Sequence, residues 1–165
     1  MSDADPSRDD GSITLPARGS PAPDFRWEED GESHALSELR GQPVLLLFYP
    51  LAYAHTDRDD IVSLDKAADE LGAGEVHRLA ISVDDPEQGR HFFGHYDVHH
   101  LRPVSDPGLD IAGAYGVARD ERVSERASVL IDSEGCVVDA VVHDFCFPRP
   151  VALLGGWLSE LRDRS

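Results

Sequence analysis

The chain has 165 residues, a length suited to one domain that buries its core without disulfide or metal staples. Its 32 acidic against 15 basic side chains leave a net charge of −17, a surface that repels nucleic-acid phosphates and anionic membranes and argues against both as partners. With 41% hydrophobic residues, no apolar run of membrane-spanning length and only Cys136 and Cys146 as thiols, the composition describes a soluble protein of a reducing, cytoplasmic compartment.

Residues 1–18 are almost free of apolar side chains and are expected to form a disordered acidic tail, because burial there cannot offset the entropy of ordering. The first residues, Met1-Ser-Asp-Ala-Asp-Pro6, carry neither a basic region nor an apolar stretch of the secretory kind. A single domain is expected over 19–165. Lys66 is the only lysine, and an acidic surface that uses arginine in its place suits a cytosol of very high salt, where self-repulsion is screened within about 3 Å at molar ionic strength. An acidic docking face for a basic partner is the other reading.

Pro21-Ala-Pro23 stiffens the entry to the domain, Phe25-Arg-Trp27 starts a strand, Gly31 marks a hairpin turn and His34-Ala-Leu36 the return. Pro43-Val-Leu-Leu-Leu-Phe-Tyr-Pro50 is a continuous apolar run, the pattern of a strand buried on both faces. Beyond it Ile61, Leu64, Ala67, Ala68 and Leu71 recur at helical spacing, with Thr56 or Asp57 as the expected cap and Gly72 as the stop. Val76–Val83 reads as a second parallel strand, Asp85-Pro86 opens a helix reaching about Tyr96, Val104 marks a short extended segment, and 107–115 a short helix. Ala127–Asp132 and Cys136–Val142 flank a Gly135 turn as a hairpin, and Pro150–Leu161 is an amphipathic helix. The sum is an α/β domain with a mixed central sheet, helices on both faces and an N-terminal hairpin extension.

Phe48-Tyr49-Pro50, followed seven residues later by a helix start, resembles the active-site segment of peroxiredoxins, the alkyl hydroperoxide reductase and thiol-specific antioxidant family. In that family the segment reads Pro-x-x-x-Thr-x-x-Cys. Counted from Pro50, the threonine position falls on Ala54 and the position of the peroxidatic cysteine on Asp57. Gly19-Ser-Pro-Ala-Pro-Asp-Phe25, Leu36-Ser-Glu-Leu-Arg-Gly41, Ser82-Val-Asp84, Ser105-Asp-Pro107, Ala114-Tyr-Gly-Val117, and Arg126 ahead of Val129-Leu-Ile-Asp-Ser-Glu-Gly135 are similar to further family motifs in the family's order. The resemblance covers residues 19 to 145, is nearest the one-cysteine or bacterioferritin-comigratory branch, and implies a thioredoxin-like fold, an antioxidant setting, frequent dimerisation and no cofactor. It also implies that Arg126 points at the helix start carrying position 57.

A peroxidatic thiolate attacks the peroxide O–O bond and passes through a sulfenic acid, chemistry that needs a soft, oxidisable sulfur. A carboxylate at position 57 keeps the charge without that chemistry. The first expectation is therefore a family scaffold without classical thiol peroxidase activity, retained for binding or regulation, with Asp57 standing in for a thiolate or sulfinate beside Arg126 and fixing the fold in one state. The plainer reading of Asp57 is a helix cap on a solvent-facing turn, worth about 1 kcal/mol. A second expectation is a thiol oxidoreductase, served by a thiol reductant, with Cys146 or Cys136 as a displaced redox thiol; a buried, inert Cys136 is the alternative. A third is a metal or small-anion module on His55, Asp57 and Arg126. His91 and His95, four apart on a helix, with His99 and His100 beyond, are also candidate metal ligands, or simply exposed histidines on an acidic surface.

Overall fold

The apolar run that dominates the sequence becomes β3 (Val44–Phe48), and every residue in it is buried. Val44, Leu46 and Phe48 face one layer of core and Leu45 and Leu47 the other, so a strand covered on both sides shows no polar alternation. In the computed structural model, which describes residues 14–51, 54–72, 74–144 and 147–164, β3 is the middle strand of a five-stranded sheet. Its neighbours are β4 (His77–Ser82), parallel to it, and β6 (Ala127–Ile131), antiparallel. Beyond β4 runs the parallel edge strand β5 (Arg102–Ser105), and beyond β6 the antiparallel edge strand β7 (Val137–Val142), the second arm of the expected hairpin. A separate two-stranded hairpin, β1 (Arg26–Glu29) and β2 (Glu32–Ala35), turns at Asp30-Gly31, both with positive φ.

Three helices cover one face: α1 (His55–Lys66), α2 (Pro86–His95) and α4 (Val151–Asp163). Their apolar stripes supply Ile61, Leu64, Phe92, Leu154, Trp157 and Leu158 to the core that also holds Leu45, Leu47 and Tyr49. The opposite face is covered by the hairpin and the short α3 (Asp110–Ala114), through Phe25, Trp27, Ile111 and Tyr115. The Tyr115 hydroxyl donates to the Pro23 carbonyl at 2.6 Å, which fastens α3 to the entry segment. The expected mixed sheet with cover on both faces is therefore the observed one.

Several boundaries differ from the sequence reading. The packed chain begins before Gly19: Leu15 joins the core of the hairpin face, and Arg18 pairs with Asp139 on β7 at 2.8 Å. Gly116, with φ of 73°, lies where any side chain would strike the backbone of Thr14. α1 ends at Lys66, not near Leu71; Leu71 is still buried, but in turns that follow the helix, and Gly72 takes a positive φ there. Val104 belongs to a full strand, β5, because its backbone completes the parallel ladder with β4.

Candidate functional site: a buried quartet of two aspartates and two arginines

The chain leaves β3 at Phe48, passes through the buried Tyr49 and Pro50, and enters α1 with Ala54 as the N-cap residue. No side chain caps that end, so neither Thr56 nor Asp57 takes the capping role the sequence suggested. Ala54, at the threonine position of the motif, contributes its carbonyl to Arg58 N–H at 2.8 Å. Asp57 turns inward instead: it is 3% exposed, its Oδ2 accepts the Leu51 backbone N–H at 3.0 Å, and its Oδ1 pairs with the Arg126 guanidinium. The solvent-facing cap is thereby overturned, because the pleat of β6 brings the fully buried Arg126, one residue before the strand, over the first turn of α1. The dipole of α1 and its unpaired N–H groups add to the field that favours an anion at this place.

Two further residues complete the site. Asp60 follows Asp57 by three positions, shares its inward side of α1 and is wholly buried. Its carboxylate accepts the Arg149 backbone N–H at 2.9 Å, Nε at 3.0 and 3.1 Å and Nη2 at 2.8 Å. Arg149 donates further to the carbonyls of Phe48 and Ala127 and to Ser128 Oγ, so it ties the adjoining ends of β3 and β6 to α1. Arg126 Nε lies 3.4 Å from Asp60 Oδ2 without a hydrogen bond of acceptable geometry, while Nη1 donates to the carbonyls of Phe147 at 2.6 Å and Asp144 at 3.4 Å. Two negative and two positive side chains thus sit together, out of water, with a formal charge of zero. That neutrality is what makes burial of all four tolerable.

The electrostatics follow from this packing. Burial pushes the Asp57 carboxyl above its ordinary range, against the hydrogen bond and charge of Arg126 and the Leu51 N–H, which pull it down. Tyr49, also buried, has its phenol pushed well above the usual range by desolvation, with a Ser82 hydrogen bond opposing. His143 caps the cluster from the end of β7: its Nε2 lies 2.9 Å from Ser128 Oγ. Burial first, and the charge of Arg149 next, push its imidazole down to about 4, so it is neutral at ordinary pH.

The other sequence candidates fall elsewhere. Cys136 is a half-buried thiol in the turn before β7, at the end of the sheet remote from Arg126. The length of β6 alone separates the two by roughly 13 Å, at about 3.3 Å per residue, so Cys136 does not reach the arginines and is no displaced thiol for this site. Nor is it the first residue of the strand, which starts at Val137. Cys146 lies outside the described residues, as does the side chain of His55. The His91 and His95 rings stack with centroids 6.3 Å apart, His99 pairs with Asp97, and among the described residues no group of three or more His, Cys, Asp or Glu is arranged to hold a metal. Asp60 and Arg149 were missed from the sequence. The i, i+3 spacing of Asp57 and Asp60 was the available signal for the first; Arg149 between Pro148 and Pro150 offered none beyond a stiffened backbone.

A helix N-terminus and a buried arginine converge on Asp57 at the end of the central strand of a mixed sheet, the arrangement of a thioredoxin-like fold. Known proteins agree: the AhpC/TSA family model matches residues 18–140, and the chain belongs to that family. The chain is 29% identical over 150 residues to peroxiredoxin Bcp of Escherichia coli K12, covering 86% of this chain and 95% of that protein. A putative peroxiredoxin in the rubredoxin operon of Clostridium pasteurianum is 27% identical over 147 residues, 81% of this chain and 82% of the relative. Among solved structures, the reduced 2-Cys peroxiredoxin of Plasmodium vivax superposes with a TM-score of 0.76 at 28% identity, covering 89% of this chain and 82% of that one. Mycobacterium tuberculosis AhpC superposes at 0.80 with 16% identity over 92% and 96% of the two chains, a likeness of fold alone.

Proposed function

We propose that this protein is a peroxiredoxin-family scaffold without thiol peroxidase chemistry at the family's peroxidatic position, kept for binding or regulation within the same antioxidant setting. The observation that carries this reading is the seating of Asp57. A carboxylate lies between Arg126, the Leu51 N–H and the start of α1 and pairs with the arginine, and in our reading this is the place where the family motif has sulfur. A carboxylate has no atom that gives two electrons to a peroxide and rises to a higher oxidation state, so no sulfenic acid forms and no reductant is called for at this position. The acidic surface fits a high-salt cytoplasm, and a homodimer is the expected assembly. Among the described residues no helix is long and apolar enough to cross a membrane.

The test is hydrogen peroxide consumption with dithiothreitol as reductant. Native protein is expected to show only the background rate, and Asp57→Cys to gain turnover, because the arginine and helix dipole that would hold a thiolate are already present. Native turnover that survives Cys136→Ala and disappears with Cys146→Ala would replace this reading with a second one. That second reading has a specific support: Asp144, two residues before Cys146, and Phe147, the residue after it, both present carbonyls to Arg126. In it the Cys146 thiolate would take one peroxide oxygen as sulfenic acid, release water, and be returned by an external dithiol.

A further inference from the structure

Away from the quartet, a cavity of about 370 Å³ opens between α2, the end of β4, β5 and the tip of the N-terminal hairpin. This is within the range of roughly 300–1,000 Å³ in which small-molecule pockets fall. Its floor is apolar, made by Phe93, Val98, Leu101, Pro103 and Val104. Its inner wall is a packed polar group: Ser82 Oγ donates to Asp84 Oδ2 at 2.7 Å, and the Ser105 hydroxyl donates to the Asp84 carbonyl at 2.6 Å. Tyr49 closes that wall.

Acidic side chains outnumber basic ones around the cavity. Glu28, Asp30, Asp84 and Asp85 line it against the single exposed guanidinium of Arg90, while Glu29 is already engaged by Arg102 Nε at 3.0 Å. Asp84 is 7% exposed, so its carboxylate is screened by little water. The N-terminus of α2, which would otherwise favour an anion, is closed by its own residues. Asp85 accepts the Gln88 N–H, the Gln88 side chain accepts the Asp85 N–H in return, and Pro86 has no N–H to offer. An apolar floor, a buried carboxylate at the inner end and carboxylates at the rim select an occupant with the complementary halves.

We propose that this cavity binds a small organic cation, an amine or guanidinium on an apolar body, with the cationic head toward Asp84 and the body on Phe93 and Leu101. The proposal is independent of what Asp57 does, because no residue of the quartet lines the cavity.

Calorimetric titration with three phenyl compounds of one shape tests it. 2-Phenylethylamine is expected to bind saturably at one site, 2-phenylethanol at least about tenfold more weakly, and phenylacetate not at all. Asp84→Asn is expected to weaken the amine by at least about tenfold. Should that variant fail to fold, Glu28→Gln with Asp30→Asn, both at the rim, is expected to weaken it about threefold. Equal affinity for the amine and the alcohol overturns the proposal. So does loose, non-saturating uptake of the amine, as condensation on a surface of charge −17 would give, or an affinity that neither set of substitutions changes. Uptake of a lysine side chain only when it is part of a folded protein, with no saturation by the free amine, also overturns it and would make the face a protein-docking surface.

Discussion

Within the quartet the two aspartates are held differently, and amidation should separate them. Asp60 accepts from three N–H groups of Arg149, the backbone N–H, Nε (shared between both carboxylate oxygens) and Nη2, and is wholly buried. In Asp60→Asn the new amide keeps one oxygen acceptor and turns an NH2 donor onto other donors. It also leaves two guanidinium groups with one carboxylate. Breaking a buried pair from one side costs about 3–5 kcal/mol, against a total stability of roughly 5–15 kcal/mol for a domain. At about 2–4 °C per kcal/mol for a protein of this size, the melting temperature should fall by roughly 6–20 °C. Asp57→Asn also breaks a buried pair from one side, but Asp57 holds one guanidinium contact and the Leu51 N–H where Asp60 holds the whole fork of Arg149, so its cost should be the smaller of the two. Guanidinium denaturation of native protein and both variants, with the slope checked for constancy, reads the two costs directly. Equal losses in the two variants, or a loss below about 1 kcal/mol for Asp60→Asn as in exposed ion pairs, would refute this assignment of roles.

Acid stability should report His143. Its folded value of about 4 lies below the ordinary imidazole value of about 6.5, so the fold prefers the neutral ring, and stability should decline as pH falls from about 6.5 toward 4. Discounted for partial exposure, the decline is about 1–2 kcal/mol, and His143→Gln should flatten it in urea titrations at stepped pH. Asp57 carries the opposite sign, since a raised carboxyl contributes most below its unfolded value and loses that contribution as pH rises through the folded one. Screening should matter as well: raising KCl from about 0.1 to 1 M shortens the Debye length from about 10 to 3 Å and should raise the melting temperature of a chain of charge −17, whereas an unchanged melting temperature would remove the high-salt reading. Gly116→Ala should cost about 1–2 kcal/mol in thermal unfolding, from its left-handed backbone and the displacement of Thr14.

The parts legible in the sequence were those in which one physical requirement writes one pattern. A strand covered on both faces must be apolar throughout, and Val44–Phe48 is; the α2 start needs a cap and a proline, and Asp85-Pro86 supplies both. Arg126 and Asp57 were found as a pair only because family motifs align them, since neither the charge nor the spacing across 69 residues announces a contact. What stayed hidden depends on tertiary direction. Asp59 and Asp60 are adjacent acids in one helical turn, yet the first is exposed and the second has no exposure at all, and only the angle at which α1 meets β3 and β6 decides between them.

That angle in turn depends on Arg149. Its guanidinium holds the Phe48 carbonyl, the Ala127 carbonyl and the Asp60 carboxylate at once, so a residue far along the chain fixes how the first turn of α1 is set against the ends of β3 and β6. Arg126 then meets an anion whatever residue fills position 57, provided it is acidic and short. The lower half of the seat, Asp60 with Arg149, is held by opposite charge and by the planar fork of the guanidinium together. Arg149→Lys separates these contributions: it keeps the charge but loses the forked contact and the two carbonyl bonds, and is expected to cost about 3 kcal/mol or more in denaturant titrations. A lysine that restores native stability would show that charge alone, without the planar geometry, sets the helix.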